Sequence, residues 1–139
     1  MRSLGNATDR RSILERITAL QPSNSRNWGR MSVHQMICHL NDAYEVGMGE
    51  RTASLATGFV QKTLMKWGGL WAPIPWPKGL PTRPEIEQGA GGTLPVEFER
   101  DRAQLLILVG RFCEYHAATR RVVHPIFGAL REGEWLRAV

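Results

Sequence analysis

The chain has 139 residues, of which 42% are hydrophobic and 22% charged, and its formal net charge at pH 7 is +5. These values are ordinary for a single domain over residues 1–139, and they exclude a disordered or fibrous protein. The basic residues are scattered, with Arg10–Arg11 and Arg120–Arg121 as the tightest groups, so we predict no nucleic-acid partner.

Helical periodicity begins near the amino terminus. Asp9 is a suitable N-cap, and the pattern predicts a first helix from Asp9 to about Leu20. Its apolar face carries Ile13, Leu14, Ile17 and Leu20. The helix is expected to end at the turn-forming segment Gln21–Ser25, which contains Pro22.

The second helix has the clearest pattern. Ser32 and Gln35 have capping-box spacing, which predicts a helix from Ser32 to about Met48, before Gly49. A wide apolar face is formed by Val33, Met36, Ile37, Leu40, Ala43, Tyr44 and Gly47. The opposite face, predicted to be polar, carries His34, Cys38, Asn41, Asp42 and Glu45. His39 falls at the edge of the apolar face.

The middle of the chain has weaker periodicity. A short third helix is predicted between Thr52 and about Leu70, and the segment Trp71–Gly92 is too rich in proline and glycine for a regular element. We therefore predict a long ordered loop there. Its tryptophans favour a cover over one end of the fold, with a membrane-surface anchor as the alternative.

The fourth helix is predicted from about Pro95, a favoured first helical residue, to about His116. Arg102 lies among its apolar positions, and we expect its charged end to reach the edge of the fold. A loop around His124 follows, and a last, short helix begins near Glu132. Four helices with one long crossover predict an all-α bundle.

The chain shows neither a membrane span nor an export signal. The longest apolar candidate, Leu64–Trp76, is broken by Lys66 and two prolines. No apolar run follows the charges at the amino terminus, so a cytoplasmic location is expected. Cys38 and Cys113 are then expected to be reduced thiols.

Taken singly, the reactive side chains are interpreted as structural. His34 is expected to be solvated on the polar face. Cys38 and His39 are neighbours in sequence, but they point about 100° apart on a helix and do not form a nucleophile–base pair. Cys113 belongs to an apolar stripe, which indicates a core thiol.

Two further histidines also have structural interpretations. His116 is expected at a helix end, where a cation complements the helix dipole. His124 precedes Pro125 and is expected in an extended turn. The sequence contains no HExxH, no CxxC and no glycine-rich phosphate loop.

Four stretches in combination are more specific than any single residue. In chain order they are Trp28–Leu40, Trp76–Thr82, Phe98–Phe112, and His124–Gly128 followed by Glu134–Trp135. Together they resemble a branch of the DinB-like superfamily that is described as a domain of unknown function. The resemblance covers nearly the whole chain. It implies an all-α, DinB-like four-helix bundle with a long Pro/Gly/Trp-rich crossover loop and a shortened last helix.

The resemblance also implies a metal centre. Many members hold a divalent metal such as Ni, Zn or Fe through three histidines, and His39 matches the ligand from the second helix. The other two ligands follow the Glu-Trp pair in the family, and this chain ends at Val139 before that stretch would begin. A complete site needs about three protein ligands, so the centre is expected to be incomplete or metal-free, with His39 a hydrogen-bonded residue at the core edge.

Two functional hypotheses follow. By resemblance, the chain descends from metal- and thiol-dependent transferases or isomerases, with a low-molecular-weight thiol or another small molecule as partner. The alternative is a non-catalytic helical module that dimerises or binds another molecule. The shortened last helix would leave a groove of the bundle partly uncovered, so we expect either a marginally stable monomer or a homo-oligomer, such as a dimer, in which the partner covers the groove.

Overall fold

The computed structural model describes residues 3–27, 29–54, 83–118, 123–124 and 127–138. The helices are α1 (Ala7–Thr18), α2 (Val33–Gly47), α3 (Phe98–Ala118) and α4 (Glu132–Ala138). A 3-10 turn, Pro84–Ile86, precedes α3, and two-residue strands β1 (Val123–His124) and β2 (Gly128–Ala129) pair in antiparallel fashion. The predicted predominance of helix is confirmed.

Part of the prediction lies outside the described residues. The expected third helix and most of the Pro/Gly/Trp-rich loop fall within residues 55–82, so the crossover that would complete a four-helix bundle stays a prediction. Among the residues that the structure describes, no helix has both the length and the hydropathy needed to cross a membrane.

The first helix begins earlier than predicted. The side chain of Asn6 accepts hydrogen bonds from the backbone N–H groups of Thr8 (2.9 Å) and Asp9 (3.1 Å), so Asn6 is the N-cap. Asp9 lies in the first turn, where its Oδ2 accepts from the backbone N–H of Ser3 at 3.0 Å. The prediction of Asp9 as the cap is wrong because Asn6 caps the helix three residues earlier, which places Asp9 inside the first turn.

The start and end of α2 are confirmed. Ser32 Oγ accepts from the backbone N–H of Gln35 at 3.2 Å, and Gln35 Oε1 accepts from the backbone N–H of Ser32 at 2.9 Å. This reciprocal pair satisfies two N–H groups that would otherwise lack a partner. Met48 is the C-cap, and Gly49 follows with a φ of 75°, which glycine adopts without strain.

Helix α3 forms the centre of the core. It packs against α2, α1 and α4. Its buried side chains recur at helical spacing, as the sequence predicts, and are Phe98, Leu105, Leu108, Val109, Phe112 and His116. The helix begins at Phe98, three residues after the predicted Pro95, and the N–H of Asp101 donates to Glu97 O at 3.0 Å.

Arg102 joins α3 to the end of α1. Its guanidinium donates to the carbonyl oxygens of Thr18 (3.0 Å) and Leu20 (2.6 Å). It also pairs with Glu99 on the same helix and lies 5.7 Å from the ring centre of Phe98. The aliphatic stem therefore lies along the core while the charged group satisfies helix-end carbonyls, as the sequence predicts.

Helix α4 is joined to the amino-terminal segment. The N–H of Leu4 donates to the carbonyl oxygen of Leu136 at 2.8 Å, and the Leu4 side chain is 1% exposed. Trp135 is also buried and stacks on the ring of His116, with ring centres 4.7 Å apart. Residues from both ends of the described chain thus cover the same end of α3.

Candidate metal centre

The best-defined cluster of potential ligands lies between α2 and the first turn of α3. His34 and Cys38 are four residues apart, so they lie one turn apart on the same face of α2. Asp101, from α3, faces both. One ligand atom from each residue lies within 4.8 Å of the other two. We call these three residues the His–Cys–Asp cluster.

Asp101 connects the members of the cluster. Its Oδ2 lies 2.8 Å from Nε2 of His34 and 3.7 Å from Sγ of Cys38, and it also accepts from the backbone N–H of Val96 at 3.3 Å. Partial burial alone would raise the pKa of this carboxyl. The hydrogen bonds from His34 and Val96 and the nearby charge of Arg100 outweigh that effect, so the pKa is lowered and the carboxylate is favoured.

The Cys38 thiol is buried and forms no disulfide. Burial raises its pKa to about 11, and the adjacent Asp101 carboxylate adds to the rise. At neutral pH the metal-free protein therefore holds a neutral thiol that donates to Asp101. Since nucleophilic cysteines need a lowered pKa, this environment does not support a thiolate nucleophile.

A buried amide completes this face of α2. Asn41, three residues after Cys38, is 8% exposed, and its Nδ2 donates to the backbone carbonyl of Asp101 at 3.0 Å. Its Oδ1 is buried without a hydrogen-bond partner. Buried polar atoms normally have partners, so this oxygen has unused capacity to accept a hydrogen bond. It belongs to a side chain that is already anchored to a member of the cluster.

Asp42 also belongs to the face that was predicted to be polar, and it is 1% exposed. Its two carboxylate oxygens accept from Arg51 Nη1 (2.7 Å) and from the N–H (2.8 Å) and Oγ1 (2.6 Å) of Thr93. Arg51 Nη2 also donates to the carbonyl oxygens of Glu85 and Gly91. This buried ion pair holds the segment before α3 against α2.

His39 lies apart from the His–Cys–Asp cluster. It is half-buried, and its Nδ1 lies 2.9 Å from the carbonyl oxygen of Ile86, to which the ring donates. The described residues place no two further His, Cys or carboxylate ligands around it. Its role as a metal ligand stays a prediction, and the hydrogen bond gives the ring a structural partner.

His34 and Cys38 differ from their sequence interpretations. His34 is half-buried, pairs with Asp101 and makes an edge contact with the ring of Phe98 at 5.3 Å, so the prediction of a solvated residue is wrong. Cys38 is buried as a structural thiol would be, but it faces a carboxylate and not an apolar core. The polar face of α2 is buried because α3 and the segment before it pack there.

The partner of these two residues, Asp101, was missed. It is 67 residues from His34 in the chain and 63 from Cys38, so no local motif connects them. The spacing of His34 and Cys38 on one helix face was the available signal. When two ligands lie at positions i and i+4 of one helix, the third ligand comes from another element. Asp101, an acidic residue in the first turn of α3, was a candidate.

His116 is enclosed in the core. It is 1% exposed, and its Nε2 donates to the carbonyl oxygen of Gly47 at 2.9 Å. Burial lowers its pKa, so the prediction of a cation at the helix end is wrong. A Cβ atom on Gly47 would lie 2.7 Å from Cε2 of Phe112 and 3.3 Å from Cζ3 of Trp135, so only glycine fits this close approach.

His124 contacts Phe127 just before β2. Its Nδ1 accepts from the backbone N–H of Phe127 at 3.2 Å, and the two rings stack with centres 4.5 Å apart. Burial lowers the pKa of His124 to about 4. His124 and Phe127, two residues of the last family-like stretch, thus have a structural role in packing against each other.

Comparison with protein-family models, with curated proteins and with solved structures gave no match to this sequence.

Proposed function

We propose that this protein binds a divalent metal ion of the zinc type through Nε2 of His34, Sγ of Cys38 and a carboxylate oxygen of Asp101. The observation that carries the proposal is the convergence of the three ligand atoms within 4.8 Å of one another. Imidazole, thiolate and carboxylate are the three side-chain ligands that zinc takes in proteins.

Two of the three ligand spacings can be compared directly with those around a tetrahedral ion, and the third, between His34 and Cys38, is within 4.8 Å. With bonds of about 2.0–2.3 Å, neighbouring ligand atoms in a tetrahedral site lie roughly 3.3–3.7 Å apart. The Cys38–Asp101 distance of 3.7 Å already fits, and the His34–Asp101 distance of 2.8 Å would have to widen by about 0.5 Å. Small side-chain rotations supply a change of that size.

The donor set also indicates what the ion would supply. Three protein ligands leave a fourth position for water or a substrate, as in catalytic zinc sites. A bound divalent ion at such a position lowers the pKa of water or polarises a carbonyl group. The unpartnered Oδ1 of Asn41, one turn from Cys38, is suited to accept a hydrogen bond from a group held at the site.

The sequence resemblance supports the same general function by a different set of residues. We propose a DinB-like four-helix bundle whose metal centre has moved from the family position at His39 to the face of α2 that carries His34 and Cys38. Descent from thiol-dependent transferases, a low-molecular-weight thiol partner, a homodimer and a cytoplasmic location belong to the same proposal.

The alternative is a non-catalytic binding module in which His34 and Asp101 form only a structural ion pair. It is supported by Leu94 and Val96, which are 67% and 73% exposed just before α3, since exposed apolar side chains favour contact with another protein. Under this alternative the protein binds no metal stoichiometrically.

Metal titration separates the two hypotheses. The purified protein is treated with a chelator, and zinc binding is measured by calorimetry for the native chain and for Cys38→Ser, Asp101→Asn and His39→Ala. Circular dichroism and the melting temperature check the fold of each variant. Cys38→Ser and Asp101→Asn keep the size of each side chain, while His39→Ala is the matched control on the same helix.

We expect one zinc ion per chain, and affinity losses on the order of 100-fold or more for Cys38→Ser and Asp101→Asn. That scale follows because zinc sites of about four ligands bind with roughly 10–16 kcal/mol, or several kcal/mol per ligand. His39→Ala should bind as the native chain does. The proposal fails if the native chain binds no zinc, or if His39→Ala abolishes binding while Cys38→Ser does not.

A further inference from the structure

A cleft lies on the other side of α2 from the His–Cys–Asp cluster. It has a volume of about 300 Å³ and lies between the last turn of α1, the loop that follows and the first turn of α2. Val33 and Met36 face this cleft, whereas His34 and Cys38 project from α2 roughly 100–200° away around the helix axis. The two sites are therefore separate.

The cleft is strongly positive. Three arginines line it, Arg16 from α1 and Arg26 and Arg30 from the loop, and its described lining includes no aspartate or glutamate. Among the described residues none of these arginines forms an ion pair; Arg26 donates to the carbonyl oxygen of Arg30 at 2.9 Å. Three unneutralised guanidinium groups thus lie around one concave surface, in a chain whose net charge is +5.

The floor of the cleft is apolar. Leu20, Val33 and Met36 line it and are half-buried. Asn24 and Asn27 also line it. Small-molecule sites combine an apolar lining with a few polar groups that fix orientation, and guanidinium groups are suited to carboxylate and phosphate. The positive end of the α2 dipole at Ser32 adds to the attraction for an anion.

We infer that this cleft binds a small organic anion, a carboxylate or phosphate attached to an apolar group. The guanidinium groups of Arg16, Arg26 and Arg30 hold the anionic group, and the apolar part contacts Leu20, Val33 and Met36. This site does not depend on the metal site, because it shares none of its residues.

The test uses phenyl phosphate as the probe, with inorganic phosphate, phenol and a short DNA duplex as comparison ligands. Binding to the full chain is measured by calorimetry in the presence of a chelator. The variants are Arg16→Gln and the double variant Arg16→Gln/Arg30→Gln. Arg11→Gln is the matched control, because Arg11 is an exposed arginine of the same helix that does not line the cleft.

We expect phenyl phosphate to bind more tightly than inorganic phosphate or phenol, because only phenyl phosphate uses both parts of the cleft. Arg16→Gln should weaken its binding about fivefold, and the double variant more than tenfold, since charged hydrogen bonds contribute this much even when solvent screening reduces them. Arg11→Gln should leave binding unchanged. Melting temperatures of all variants should match that of the native chain, since these arginines are exposed.

Several results would overturn the inference. Absence of phenyl phosphate binding at millimolar concentration would do so, as would equal losses in Arg11→Gln and Arg16→Gln, which indicate only the general charge of the protein. If the DNA duplex binds more tightly than phenyl phosphate, and its binding depends equally on Arg11 and Arg16, the positive charge serves nucleic-acid binding and not a small anion. Because zinc is absent throughout, failure here leaves the metal proposal intact, and failure of the metal proposal leaves this one intact.

Discussion

The ion pair between Asp42 and Arg51 provides a test of how the segment before α3 is held on α2. Asp42 is 1% exposed and accepts three hydrogen bonds, one from the Arg51 guanidinium and two from Thr93. In Asp42→Ala, the Arg51 guanidinium, whose side chain is 25% exposed, loses its carboxylate. The N–H and hydroxyl of Thr93 lose their acceptor as well.

The magnitude follows from those three bonds. All three bonds go to a carboxylate, and a hydrogen bond to a charged group contributes about 1.5–3 kcal/mol, so simple addition gives an upper bound of roughly 4.5–9 kcal/mol. The cost of removing one partner of a buried ion pair, about 3–5 kcal/mol, lies at the lower end of that sum, as expected where the Arg51 side chain is 25% exposed. We therefore expect Asp42→Ala to lower the free energy of unfolding by about 3–5 kcal/mol.

Urea denaturation followed by circular dichroism measures this loss, with a chelator present so that metal does not contribute. Glu50→Ala is the matched control, because Glu50 pairs with Arg111 on the surface and the two side chains are 40% and 47% exposed. Exposed pairs contribute about 0–1 kcal/mol. If Asp42→Ala costs no more than Glu50→Ala, the buried ion pair does not hold this segment and the reasoning is refuted.

Two further predictions concern the aromatic end of the core. Gly47→Ala should destabilise the protein by about 1–3 kcal/mol, because the added Cβ atom would overlap the ring of Phe112. Gly110→Ala should be neutral or stabilising by up to about 1 kcal/mol, because nothing lies within 4 Å of the added atom. Thermal unfolding of the two variants measures the difference, and equal effects would refute the prediction. The pKa of His124 is about 4 when folded and about 6.5 when unfolded, so its contribution to stability is complete above pH 6.5 and is lost as the pH falls toward 4. The loss in the free energy of unfolding should reach about 3 kcal/mol. His124→Asn keeps an acceptor for the N–H of Phe127 and should remove that part of the pH dependence. If the variant has the same pH profile as the native chain, His124 is not the group that titrates.

Local signals in the sequence predicted the helices well. The capping box at Ser32 and Gln35 acts within one turn, so its geometry does not depend on the rest of the fold, and α2 begins where the sequence predicts. The apolar stripe of α3 was also recognisable, because a central helix repeats its buried positions at helical spacing. The start of α1 was misplaced because Asn6 and Asp9 are both good N-caps, and local preference alone does not choose between them.

The candidate metal centre was much harder to predict. His34, Cys38 and Asp42 form the polar face of an amphipathic helix, and such a face is normally exposed to solvent. It is buried here because Asp101 and Thr93, far along the chain, supply partners for those polar groups. Only the packing of α3 and its preceding segment against α2 shows that the polar face is an interior site.

The ligand role of His39 stays a prediction. The resemblance assigns a ligand role to His39, but its surroundings in the described structure supply a backbone carbonyl, at Ile86, and no further ligands. The cluster that does converge includes two other residues of the same helix, Cys38 next to His39 and His34 about one and a half turns before it. Successive residues on a helix project about 100° apart, so Cys38 and His39 lie on different faces of α2.

Cobalt absorption spectroscopy tests the central claim most directly, because a thiolate bonded to Co²⁺ gives a charge-transfer band in the near ultraviolet, and cobalt takes the same ligands as zinc. For the native chain and for His39→Ala, we predict this band at one equivalent of Co²⁺ per chain. Cys38→Ser should lose the band, and Cys113→Ser should keep it. A band that survives Cys38→Ser, or that disappears in His39→Ala, would contradict a metal centre built from His34, Cys38 and Asp101.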